Sequence, residues 1–279
     1  MTRYAGRMPR RKEPIIEPPR DTSADEALLR DLYRRDPCRI LPYALWKSVA
    51  DLQHLEVRFI REGDAVTGVE LRQPGRSLVY GTRTQDPLKA ASVKLDGMPT
   101  IFVHNDFVKP LIPWFGTKEA RFRLIHRGSD LPLRQTAPGF TVREVDVRTE
   151  LPLVATILHA CSGMPAQGTD ELASWTRRSV FDPHVWLWVV DRKEKRPVAV
   201  GIAEVDRLTG EGSLTTVQVL PAFRGRGVGT MLIQELLYRL QQKVSFTTVE
   251  GDVRAQDDAE RLFRTCGFTG RDVWWVLRR

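Results

Sequence analysis

Residues 214–242 read LTTVQVLPAFRGRGVGTMLIQELLYRLQQ, and the reading of this stretch decides the fold. Thr215, Val217 and Val219 alternate with Leu214, Thr216 and Gln218, a β-branched strand that ends near Leu220, before Pro221. Val228, Leu232, Leu236 and Leu240 recur every four residues, with Met231, Ile233 and Leu237 beside them, which makes the wide apolar stripe of a helix. Between strand and helix lies Arg224-Gly225-Arg226-Gly227-Val228-Gly229. Glycine admits positive φ and lets a ligand approach the main chain. A strand-to-helix turn aims free N–H groups and the positive end of the helix dipole at one point. With two arginines added, the turn reads as a cradle for a diphosphate.

Two familiar cradles do not fit. A P-loop ends in Gly-Lys-Ser/Thr, and no lysine occurs between Leu214 and Gln242. A dinucleotide fingerprint is G-x-G-x-x-G opening an early βαβ unit, whereas here the spacing is G-x-G-x-G close to the C-terminus. What fits is Arg-x-x-Gly-x-Gly at Arg224, Gly227 and Gly229, preceded by Val219-x-Pro221-x-Phe223. This resembles the acetyl-CoA loop of the GNAT superfamily of N-acetyltransferases. The later stretch Gln256-x-x-Ala259-x-x-Leu262-Phe263-x-x-x-Gly267-Phe268 is similar to the second signature of that family, which has Asn and Tyr where this chain has Gln256 and Phe263. The resemblance covers Phe140–Arg279. There the patterns give the order βααβββαβαβ: strands over 140–147, 185–190, 198–205, 214–220, 246–253 and 273–277, with helices at 151–161, 169–180, 228–242 and 259–266. The expectation is an α/β fold with a mixed central sheet, GNAT-like, in residues 140–279.

The chain of 279 residues is long enough for two domains. Residues 1–20 are rich in arginine and proline and read as a disordered basic tail, with polyanion binding as the sharper alternative. Residues 21–127 read as an N-terminal α/β domain. Ser23-x-x-Glu26 opens a helix as a capping box. A second helix carries Leu45, Trp46, Val49 and Leu52, and Asp86-Pro87 opens a third. A short helix is expected near 106–114, and strands at 56–61, 65–72, 77–81, 100–103 and 120–125. No Arg/Gln-x-x-Gly-x-Gly turn occurs in this half, so it is expected to be non-catalytic, a degenerate copy of the same fold. Such a tandem resembles glycine N-acyltransferase-like proteins. Residues 128–139, GSDLPLRQTAPG, read as a linker.

There is no run of about 18 apolar residues, so no membrane span is expected. The N-terminus lacks the apolar core of a secretory signal. Three scattered cysteines, Cys38, Cys161 and Cys266, match neither a disulfide framework nor a metal site, which points to a reducing, cytoplasmic setting. The net charge of +8 favours anionic partners, among them the phosphates of CoA. A nucleic-acid partner is ranked last, because basic and aromatic residues do not interleave.

The resemblance implies transfer of an acetyl group from acetyl-CoA to a primary amine, on a small molecule or a peptide, by direct attack in a ternary complex. It places Val217, Gln218 and Val219 along the pantetheine arm and the acetyl carbonyl. Arg224, Gly225, Arg226, Gly227, Val228, Gly229 and Thr230 would hold the diphosphate, and Gln256 and Phe263 would flank the thioester. Phe263 has no hydroxyl to protonate a leaving thiolate, which keeps open a second reading, a CoA-binding sensor. A general base must take a proton from the amine. Glu204 and Glu211 are the candidates, set against the plainer reading of hairpin charges in solvent, and Asp252 and His184 come after them. Core packing is the expected role of Trp186, Trp188 and Cys266. Trp274 and Trp275, on opposite faces of the last strand, suggest a homodimer contact.

Overall fold

The computed structural model describes residues 22–84, 98–128, 135–162, 168–254 and 259–279. The basic tail, the helix expected after Asp86 and Gln256 lie outside these residues, as do most of the loop after Cys161 and the centre of the expected linker.

The N-terminal half begins with α1 (Ser23–Arg35), α2 (Pro37–Ile40) and α3 (Leu45–Ala50). Strands β1 (Glu56–Glu62), β2 (Ala65–Gln73), β3 (Ser77–Thr82), β4 (Thr100–His104) and β5 (Thr117–His126) follow. The short helix expected near residue 106 is two separate 3₁₀ turns, Asn105–Phe107 and Ile112–Trp114, because Pro110 and Pro113 deny a continuous helix its N–H donors. The N-cap of α1 is Thr22, whose side chain makes no capping bond, so Ser23 stands inside the helix rather than at the N-cap that the capping box expected.

The C-terminal half runs β6 (Phe140–Glu144), α4 (Leu151–Ser162), α5 (Thr169–Trp175), β7 (Trp186–Asp191), β8 (Arg196–Asp206) and β9 (Glu211–Val219). It continues with α6 (Val228–Leu240), β10 (Phe246–Asp252), α7 (Ala259–Thr265) and β11 (Thr269–Arg278). This is the βααβββαβαβ order expected from the sequence.

All eleven strands form one sheet, in the order β1-β2-β3-β4-β11-β5-β10-β9-β8-β7-β6. Read from its middle outward, the order repeats. The N-terminal half contributes three antiparallel strands, β1–β3, and the C-terminal half four, β6–β9; each half then crosses over to a parallel strand, β4 or β10, and ends in one more, β5 or β11. The final strands of the two halves are exchanged. The N-terminal β5 lies between β10 and β11, and the C-terminal β11 lies between β4 and β5. The last strand of the chain is therefore interior. Trp274 is fully buried and donates its indole N–H to the Cys38 carbonyl at 2.7 Å, and Trp275 donates to Asn105 Oδ1 at 2.9 Å. Both faces of β11 thus meet other parts of the chain, with Trp274 buried and Trp275 half-buried.

The exchange joins the cores. Phe122 and Leu124 of β5 are buried with Val228, Leu232, Leu236 and Phe263 on the α6 face of the sheet. Gly251 of β10 lies directly over the Phe122 ring: a Cβ there would meet Cζ at 2.4 Å, so only glycine fits. On the other face, α1 reaches across to the β8–β9 hairpin, where Arg30 meets Asp206 at 3.5 Å and Arg34 donates to the Thr209 carbonyl at 3.1 Å. Trp186 and Trp188 are core residues packed with Val154, Leu172 and Trp175, and Cys266 is core as well.

Truncating a side chain in the shared core should therefore destabilise both halves together. Phe122→Ala is expected to cost about 3–5 kcal/mol and to shift one cooperative transition followed by denaturant. Two separate transitions, only one of them displaced, would contradict the joint core.

Candidate active site

The strands β9 and β10 pair in parallel for four residues, Glu211–Leu214 with Phe246–Val249, and then part. β10 continues against β5, and β9 continues against β8 as far as Val219. The cause on the β9 side is a bulge. Ile202 of β8 faces Thr216 and Ala203 faces Leu214, so Thr215 is an extra residue. The bulge reverses the side-chain alternation. Leu214 before it and Val217 and Val219 after it all turn to the α6 side. Past Leu214, the edge of β9 that faces β10 has no strand partner among the described residues.

That open edge leads into the glycine turn. Gly225 and Gly227 have φ of +74° and +77°, a left-handed conformation that favours glycine. A Cβ on Gly225 would meet nothing within 4 Å, and one on Gly227 only Ala137 Cβ at 3.9 Å, so the main chain is open to a ligand at both. The first main-chain bond into α6 runs from Met231 N–H to the Gly227 carbonyl at 3.0 Å. The N–H groups of Val228, Gly229 and Thr230 precede it and lie at the positive end of the helix. Gly229 sits against α7, where a Cβ would come within 3.0 Å of Leu262 Cδ2.

Strand edge, turn and α7 enclose a cleft of about 380 Å³ lined by Val217, Gln218, Val219, Arg224, Gly225, Gly227, Gly229, Thr230, Ala259, Arg261, Leu262, Phe263 and Thr265. Nine of the residues predicted to hold CoA are thus brought together. Val228 contributes main chain only, since its side chain is in the core. Arg226 is not part of the lining, and its guanidinium lies 5.1 Å from the Phe223 ring. Arg224 donates to the Val219 carbonyl at 3.1 Å and the Cys161 carbonyl at 3.5 Å, tying the turn to the end of α4. Phe263 packs on Phe122 and Phe268 at centroid distances of 6.3 and 5.6 Å. The ionisable side chains in the lining, Arg224 and Arg261, are both cationic.

The opposite face of the sheet carries a polar belt at the same level. Thr215 of β9 and Glu250 of β10 are the first residues past the last pair of strands. Glu204 of β8, almost fully buried, accepts from Arg178 Nη1 at 2.7 Å, Thr215 Oγ1 at 3.0 Å, Trp46 Nε1 at 3.0 Å and Ser213 Oγ at 3.4 Å. Glu250 accepts from Lys47 Nζ at 3.2 Å. Burial pushes the Glu250 carboxyl up, but Lys47, Arg121 and Arg123 outweigh it and hold it below the usual carboxylate range. Glu250 was missed in the sequence because nothing in the pattern shows where β9 and β10 part.

Glu211 is elsewhere. It lies at the start of β9, four residues and roughly 13 Å of strand short of Thr215. It is fully buried, bound by Tyr33 Oη at 2.7 Å, Thr248 Oγ1 at 2.6 Å and Leu45 N–H at 3.2 Å, with Arg123 at 3.4 Å. Enclosed in this way it meets no substrate, and its part is to anchor the N-terminal helices. Asp252 accepts from Arg254 N–H at 2.7 Å, and His184 pairs with Glu144 at 3.1 Å; both are exposed.

The N-terminal half has the matching split, and it is filled. β3 and β4 pair for four residues, Ser77–Tyr80 with Thr100–Val103, and then part. Into the gap α2 inserts Arg39, which donates to the Thr82 carbonyl at 2.9 Å and meets His104 Nδ1 and Asp106 Oδ2, each at 2.7 Å. The Ile40 carbonyl lies where a Cβ on Gly81 would stand, 1.8 Å from it.

Residues 154–268 match the family model for the acetyltransferase (GNAT) family. Among solved structures, the GCN5-related N-acetyltransferase from Sphaerobacter thermophilus is similar with a TM-score of 0.65 at 16% identity, over 92% of this chain and 92% of its own. A GNAT-family acetyltransferase from Colwellia psychrerythraea gives 0.59 at 13% identity, over 92% and 95% of the two chains. A tandem GNAT protein from the clavulanic acid biosynthesis pathway gives 0.52 at 12%, over 92% and 95%. At such identities the likeness is one of fold, and it spans both halves. No curated protein matches the sequence. Residues 154–268, with the parted strands and glycine turn at their centre, thus match the GNAT family in sequence pattern as well as in fold.

Proposed function

We propose that this protein transfers an acetyl group from acetyl-CoA to a primary amine, by direct attack while both substrates are bound. The observation that carries this reading is the open β9 edge running into two left-handed glycines and three unpaired helix N–H groups. A pantetheine arm needs an extended main chain to bond to, and a diphosphate needs converging N–H donors without Cβ atoms in the way. Both requirements are met within one cleft. No cluster of His, Cys, Asp or Glu suited to a metal occurs among the described residues.

Val217, Gln218 and Val219 would present main-chain groups to the arm and to the acetyl carbonyl, polarising it as negative charge develops. The acceptor enters from the polar face, beside Thr215 and Glu250. The amine nitrogen bonds to the carbonyl carbon, the C–S bond breaks, and the thiolate leaves. The amine proton passes to Glu250, whose carboxylate has one hydrogen-bond partner among the described residues and therefore lone pairs to spare. Glu204, already accepting from four donors, serves to hold its neighbours in place. Phe263 offers the thiolate no proton. With a free thiol pKa of about 8.5, the thiolate is a competent leaving group without one.

The same absence of a hydroxyl at Phe263, in a cleft whose lining charges are all cationic, favours the second reading, a domain that binds CoA without turning it over. Glu250→Gln separates the two. On the transferase reading it lowers kcat by about 10²–10⁴, measured as thiol release with a panel of amines, while CoA affinity is kept. Wild-type protein that binds CoA and releases no thiol with any amine would support the sensor. Gly227→Asp is expected to remove CoA binding in calorimetric titration without unfolding the chain, because aspartate tolerates the left-handed conformation but sets a carboxylate where the diphosphate must lie. Unchanged CoA affinity in that variant would overturn the assignment of the cleft.

A further inference from the structure

Arg178 sits in the turn after α5, and its surroundings are unusual for a surface arginine. Its guanidinium carbon lies 4.9 Å from the Trp175 ring and 5.1 Å from the Trp46 ring, so the group is stacked against two indoles. Nη1 is bound to Glu204, which also holds the Trp46 indole N–H. The plane of the guanidinium is thereby set on three sides. About a third of the side chain, 30%, remains accessible. An arginine carries five N–H donors, and among the described residues its other N–H groups have no acceptor. The carboxylate beneath it is buried, with only 5% of its side chain accessible, so the belt shows solvent the cation rather than the anion. Lys47 repeats the arrangement over Glu250, with side-chain exposures of 36% and 23%.

The place of Arg178 is as informative as its setting. Glu204 bridges it to Thr215, with contacts of 2.7 and 3.0 Å, so the guanidinium stands within one carboxylate of the point where β9 leaves β10. A planar fork held rigid, with free donors, is suited to bind a carboxylate in bidentate fashion. A carboxylate seated there holds an amine one or two bonds away close to the split.

We propose that Arg178 is the anchor for the acceptor and that the acceptor is an amine bearing a carboxylate next to its nitrogen, an α-amino acid. This rests on the transferase reading above. Trp46 and Lys47 come from α3, so the N-terminal half builds one wall of the acceptor site. Arg178 determines specificity, and Glu204 is a positioning residue that acts through it.

The test uses the full chain with acetyl-CoA and matched pairs: phenylalanine with 2-phenylethylamine, tyrosine with tyramine, lysine with cadaverine. Thiol release is expected to favour the amino acid of each pair. Arg178→Gln should raise KM for the amino acids by about 10- to 100-fold, the loss of one charge-assisted hydrogen-bonded contact. KM for the decarboxylated amines and for acetyl-CoA should stay where it was. Arg178→Lys, which keeps the charge but not the fork, should recover part of the loss. Equal or faster release with the decarboxylated amines, or an equal loss for both members of each pair in Arg178→Gln, would overturn the anchor and leave the transferase reading standing. Tight CoA binding with no release from any pair would remove the transferase reading, and the anchor with it.

Discussion

The structure depends on two parallel strands that pair for four residues and then separate. Main-chain groups in the middle of a sheet are costly to leave unpaired, so such a gap has to be held open from both sides. β8 holds β9 from one side and, through the bulge at Thr215, aims the strand away. On the other side β10 is held by β5, which the N-terminal half supplies. A ligand that bonds along the gap replaces the missing strand. The cleft between the α6 face and α7 is the way in from one side, and the polar belt of Glu204, Thr215 and Glu250 is the way in from the other. On the transferase reading, the two substrates would meet where the facing edges of β9 and β10 have come apart.

The chain contains this gap twice and leaves it open once. In the N-terminal half the same four-residue pairing ends in the same separation, but Arg39 bonds across it and the α2 main chain lies on Gly81. An internal guanidinium there bonds to the Thr82 carbonyl, where the other half leaves its edge open. The two halves are alike in topology and opposite in what fills their central gap.

Much of this was legible in the sequence. The alternation at Leu214–Val219, the period of α6 and the left-handed glycines between them are local properties, and local physics writes them into residue type. The order of elements after Phe140 followed for the same reason. What could not be read were long-range pairings. That β5 would cross into the C-terminal half follows from contacts such as Phe122 under Gly251, which no short pattern announces. Glu211 looked like a hairpin charge because its partners, Tyr33 and Arg123, lie far away in the chain. Glu250 and Arg178 carried no signal of their own, since their meaning comes from Lys47, Trp46 and Trp175 across the fold. Phe263 departs from a signature, and the structure shows what the departure does: its ring lines the cleft and packs behind on Phe122 and Phe268.

The filled gap in the N-terminal half has a consequence for how such a chain can change. A half whose gap is filled by its own α2 no longer has to keep that gap open, while the strand it lends keeps it bound to the half whose gap stays open. Its helices are then free to vary against the working gap next door. With the acceptor held as proposed, its preference would drift through α3 without disturbing a single residue of the glycine turn, and donor recognition and acceptor choice would be inherited on separate stretches of one polypeptide.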